Sequence, residues 1–208
     1  WKVIRTPHFD VHSAQRGQIL ARRPVDSLDV FYERLVARTG MRLEERVPIL
    51  IYNSHPKFQQ TNVIDEILEE GVGGFTEIFK NRIVVPFAGS YRQFDHVLAH
   101  EMVHAVMFES MRQGAGSAIT GAMSTRMPLW FSEGLAEYVS LDWDLPSEMW
   151  LIDAVTAGYL PMPTSDMQGF LAYRAGQNFL FFLDRTFGPG TVRRVVQRTL
   201  KDRDLEKA

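Results

Sequence analysis

Apolar residues run together or alternate over short stretches in the first part of the chain, and recur every three or four positions beyond about residue 90. The alternating segment "HFDVHS" (8–13) predicts a strand, as does the continuous apolar run "RVPILIYN" (46–53), closed by the polar "NSHP" turn. Between them, "PVDSLDVFYERLVARTG" (24–40) carries Val25, Leu28, Val30, Phe31, Leu35 and Val36 and then stops at Gly40, predicting a helix. After the Gly-rich "EGVGGF", "RIVVPF" (82–87) predicts a further strand. Its Pro86 cannot donate to a ladder and pushes it toward a sheet edge.

From residue 90 the pattern is helical. "SYRQ" (90–93) fits a capping box, with Ser90 as N-cap and Gln93 three residues on, and opens a helix over about 91–111. A loop of glycine and small residues (113–127) separates it from a second helix that starts at Pro128, where proline is tolerated in the first turn. Further helices are expected near 146–158 and 168–187, with a last one opening near Pro189. The reading is a single α+β domain, with an α/β sublobe over 1–89 and a helical one over 90–208.

Composition narrows the chemistry. The 208 residues are 45% hydrophobic and 23% charged, as in an ordinary globular protein, which sets aside disordered and fibrous classes. A net charge of −2 offers no basic field for gripping nucleic acid. No run approaches the roughly 18 apolar residues that a membrane span needs. With no cysteine, disulfides, thiol nucleophiles and thiolate metal sites are all excluded. Any metal must rest on histidine and carboxylate.

The first such group is His100-Glu101-Met102-Val103-His104, an H-E-x-x-H inside the long helix. Residues four apart differ by only about 40° around a helix axis, so both imidazoles can face one ion, and Glu101 can reach a water on it. Standing alone the motif would also suit two satisfied histidines on an exposed helix. Downstream, "LWFSEGLAEY" (129–138) sets Glu133 and Glu137 one turn apart among Trp130, Phe131, Leu135 and Ala136. Carboxylates near buried surface call for a partner or a metal; the alternative is two solvated glutamates. His96 extends the histidine stripe but has no acid beside it, so it reads as packing or as support for a ligand.

H-E-x-x-H followed by W-x-x-E-G-x-A-E-Y resembles the gluzincin zinc metallopeptidases, in particular the bacterial peptidase MA-like group, with the aminopeptidase N and thermolysin types as remoter relatives. "RIVVPF" is similar to that family's active-site edge strand, and "AYRAGQNFLFFLDRTFG" (172–188) to its tyrosine-bearing helix. The resemblance implies a zincin-like fold and one Zn2+ held by His100, His104 and Glu133. It makes Glu101 the general base, Glu137 a carboxylate that orients a ligand histidine, and Tyr173 the stabiliser of the oxyanion. Tyr173 also reads as an aromatic packing at a helix start. Tyr138 and Tyr159 are weaker candidates for the same role.

Three protein ligands leave a position for water, the pattern of a catalytic zinc site. The implied activity is hydrolysis of peptide bonds by zinc-activated water. Two departures qualify it. The 28 residues between His104 and Glu133 exceed the family's segment, making the Gly-rich loop a candidate substrate-facing flap. "VVPFAGS" lacks the carboxylate with which the aminopeptidase N type holds a free amine, which favours an endopeptidase. The alternatives are a non-catalytic zinc-binding interaction module and a metal-dependent hydrolase of a non-peptide amide. The expected partner is a peptide or protein substrate, not nucleic acid. Because the chain opens on Trp1, a processed form or a fragment is expected. The resemblance favours an exported or membrane-associated protein over a cytoplasmic one and leaves room for an additional C-terminal domain in the full-length protein.

Overall fold

The computed structural model describes residues 1–14, 18–61, 72–113, 125, 127–141, 143–160 and 167–207, with the side chains of 18–20 and 26 set aside. Most of the stretch read as a flap lies outside the described residues. The chain divides into two compact units, Trp1–Arg34 with Met41–Gly121, and Leu35–Gly40 with Ala122–Ala208. The protein is α+β, with a five-stranded mixed sheet and a larger share of helix. Among the described residues no helix is long and apolar enough to cross a membrane.

The sheet belongs to the first unit. Its strands are β1 (Lys2–Arg5), β2 (Phe9–Ser13), β3 (Val47–Tyr52), β4 (Phe75–Glu77) and β5 (Arg82–Pro86), in the order β1-β2-β3-β5-β4. β2, β3 and β5 run parallel, while β1 and β4 pair antiparallel at the two edges. Parallel neighbours need a crossover, and helix α1 (Gln18–Thr39) supplies the one between β2 and β3. Its Asp29 Oδ1 lies 2.6 Å from His8 Nδ1, and Tyr32 packs on His8 and Phe9. In β2 and β3 alternate residues are buried: Phe9, Val11, Val47, Ile49 and Ile51.

Two expectations are corrected. The helix read over 24–40 begins earlier, at Gln18, so that Pro24 lies inside α1. Its ring fixes φ near the helical value but removes one N–H, forfeiting one hydrogen bond within the helix. β5 is not an edge strand, because β4 lies beyond it. Pro86 is nevertheless accommodated. The partners in β4 reach only to Val84, while Phe87 N donates to Tyr52 O on the β3 side at 2.8 Å. Consecutive N–H groups point to opposite sides of a strand, so that of residue 86 would have met no ladder.

Short helix α2 (His55–Gln59) fills the turn after β3 and buries Phe58. Helix α3 (Tyr91–Arg112) follows β5 and matches its predicted span within a residue; Ser90 Oγ accepts from Gln93 N at its start.

The second unit is helical. It contains α4 (Leu129–Ser140), α5 (Leu145–Thr156), α6 (Gly169–Phe187) and α7 (Thr191–Asp202), close to the spans read from the sequence. Pro128 stands just before α4 as its cap. α4 and α6 cross with Gly134 against Gly176. A β-carbon on Gly176 would come 2.0 Å from Trp130 O, and one on Gly134 2.5 Å from the Gly176 carbonyl carbon. The two backbones touch there.

Candidate metal centre

Every residue from His100 to Met107 is buried, so α3 is covered on all sides over this stretch. His100, Glu101 and His104 are each 8% exposed. Burying such groups is costly unless they are bonded or bound to an ion. The four-residue spacing brings the two imidazoles together as expected, with His104 Nε2 3.1 Å from His100 Nε2. Two imidazole nitrogens at that distance need a ring proton or a cation between their lone pairs. For comparison, two nitrogens bound tetrahedrally to zinc at its usual bond length stand about 3.3–3.4 Å apart. The donor pair therefore fits a metal ion.

His96 and Phe108 extend the stripe, their ring centroids 6.1 Å from His100 and 6.2 Å from His104. Glu101 turns toward β4, where Thr76 Oγ1 lies 2.8 Å from its Oε2 and 2.9 Å from its backbone O. No motif marks Thr76; the pairing of β4 with β5 helps to bring it there.

In the second unit α4 carries Glu133 and Glu137, one turn apart. Trp130, Phe131, Leu135 and Ala136 are buried as read, Glu133 is half-buried, and Glu137 is 4% exposed. Glu137 Oε2 accepts from Arg174 Nη1 of α6 at 3.1 Å. The same nitrogen reaches Ser147 Oγ of α5 at 2.8 Å and Gln177 Oε1 at 3.3 Å, a buried polar network that the sequence reading missed. Tyr173 borders a hollow of about 320 Å3 with Glu137, Gly169, Phe170 and Arg174.

The two weaker tyrosines are committed elsewhere. Tyr138 donates its hydroxyl proton to Asp184, and Tyr159 donates to Asp153 Oδ2 at 2.8 Å. That bond holds the Tyr159 phenol above its ordinary pKa, with burial and the carboxylate charge acting the same way.

Fold and side chains define an α+β protein with histidine and glutamate groups able to hold a metal ion. Residues 82–207, well over half of the chain, match the family model described as BSP, peptidase of plants and bacteria, and the chain belongs to that family. No match is found among curated proteins. The matched span begins at β5 and takes in both motif helices.

Proposed function

We propose that this peptidase is a zinc-dependent metallopeptidase of the gluzincin type with a zincin-like fold, in which His100, His104 and Glu133 hold one Zn2+. The observation that carries the reading is the 3.1 Å approach of two buried imidazole nitrogens on the helix that also bears Glu101. Bound there, zinc would act as a Lewis acid on the scissile carbonyl and lower the pKa of a water toward neutrality. Glu101 accepts the proton of the attacking water and returns it to the leaving amine nitrogen. Tyr173 donates to the developing oxyanion, and Glu137, gripped by Arg174, orients a ligand histidine. Endopeptidase action is favoured, since "VVPFAGS" offers no carboxylate for a free amine.

A buried base beside its paired histidines supports catalysis over a purely structural pin, which has no use for a proton acceptor. The test is Glu101→Gln. The variant is expected to retain one zinc per chain by elemental analysis while its cleavage of labelled casein falls by about 10²–10⁴. Undiminished cleavage by that variant would remove Glu101 from the reaction.

A further inference from the structure

β4 is only three residues long, yet it is held against α3 on either side of Thr76. Before it, Gly74 lets the backbone approach the helix: a β-carbon there would lie 2.8 Å from Val97 Cγ1. After it, Asn81 Nδ2 donates to Ala105 O at 3.1 Å and ties the following turn to the same helix. Neighbouring side chains in the strand are otherwise engaged. Phe75 stacks near Phe58, and Glu77 takes an ion pair from Arg82 at 2.9 Å. Residues 74 and 76 share a face because side chains alternate along a strand, so Thr76 is presented to α3.

The hydroxyl so placed meets Glu101 twice, at Oε2 and at the backbone carbonyl. Its single proton is shared between these two acceptors, so the hydroxyl is held at once against the helix backbone and against the carboxylate. No other side chain among the described residues is hydrogen-bonded to this carboxylate.

We infer that Thr76 is a positioning residue for Glu101: it holds Oε2 and so turns Oε1 toward the water whose proton is taken and returned. The inference rests on Glu101 being the general base, as proposed above. Carboxylate orientation matters because a misplacement of about 1 Å in a reacting group can cost on the order of 10²-fold in rate.

The experiment compares zinc-loaded wild type, Thr76→Val, Thr76→Ser and Glu101→Gln on labelled casein, with zinc content measured for each. Valine replaces the hydroxyl by a methyl group of similar shape and suits a strand. Thr76→Val is expected to lose about 10- to 100-fold in kcat with KM within about 2-fold and zinc unchanged, and Thr76→Ser to recover to within about 3-fold of wild type.

A second readout uses the metal-free protein. In carboxyl-13C-glutamate NMR, the resonance missing from Glu101→Gln identifies Glu101. It should move in Thr76→Val and stay in place in Thr76→Ser. Wild-type kcat in Thr76→Val while Glu101→Gln is inactive overturns the inference alone. So does equal loss in the serine and valine variants, a loss that follows missing zinc, or an unmoved resonance. If Glu101→Gln itself cleaves at the wild-type rate, the general-base reading falls and the catalytic role of Thr76 falls with it. The NMR shift would then still report whether the hydroxyl holds the carboxylate.

Discussion

Glu137 and Arg174 illustrate how one residue's environment sets its consequences. The Glu137 side chain is 5% exposed and that of Arg174 18%, so neither charge is screened by much water. Removing one partner of a buried pair costs about 3–5 kcal/mol. Arg174→Met should therefore lower unfolding free energy by about that amount in urea titrations, with Glu137→Gln in the same chain recovering part of it. A loss below about 1 kcal/mol would mean that the pair behaves as a solvated one. In the sequence Glu137 already stood out as a carboxylate in an apolar helix. Its partner did not, because Arg174 lies 37 residues on and reaches it only through the docking of α6. Thr76 was hidden for the same reason: it is a lone threonine 25 residues ahead of Glu101 with no periodic signal around it.

At the scale of elements, the contact between α4 and α6 explains two glycines for which the motifs alone give no reason. Gly134 follows Glu133 in "SEGLAEY", Gly176 closes "AYRAG", and the two face each other. Gly176→Ala would drive a methyl group to within 2.0 Å of Trp130 O. Backbone cannot yield as a flexible side chain does, so the substitution should cost more than about 3 kcal/mol and lower the midpoint of thermal unfolding. An unchanged melting curve would show that the helices separate freely at this point. Elements with strong local signals were legible: α3 from its cap and long apolar face, β3 from its unbroken apolar run. β1, β4 and α2 were not. β1 is exposed along most of its length, β4 follows glycines and is three residues long, and α2 spans five residues inside a polar turn. Each exists through its neighbours more than through its own composition. Pro86 misled for a related reason, since a local rule about ladders cannot know that the next strand stops two residues short.

At the scale of the whole molecule, the proposed ligands His100, His104 and Glu133 come from two helices, the first and last of them 33 positions apart in sequence. An ion bound by residues distant in sequence binds the folded chain far better than the unfolded one. At a free concentration about 1,000 times Kd it adds about 4 kcal/mol to stability. Chelation should thus lower the unfolding temperature of wild type, with restoration on adding back zinc. Glu133→Ala should bind zinc much more weakly and show a correspondingly smaller shift on chelation. Equal zinc content in that variant, measured after dialysis, would remove Glu133 from the ligand set.

Helix α1 carries a consequence for how the chain comes to be folded during its synthesis. Its first part, through Arg34, groups with the sheet, while Leu35–Gly40 group with the second unit. There Arg38 Nη1 donates to Tyr138 O at 2.8 Å, and Gln197 Nε2 donates to Thr39 O at 2.9 Å, across 158 residues of chain. A ribosome delivers Thr39, at the end of α1, 158 residues before Gln197. Leu35, buried in the finished protein, must therefore wait without those partners until Gln197 has emerged. Ending the polypeptide before α7 would remove Gln197 from Thr39 and strand an apolar helix end made 158 residues earlier.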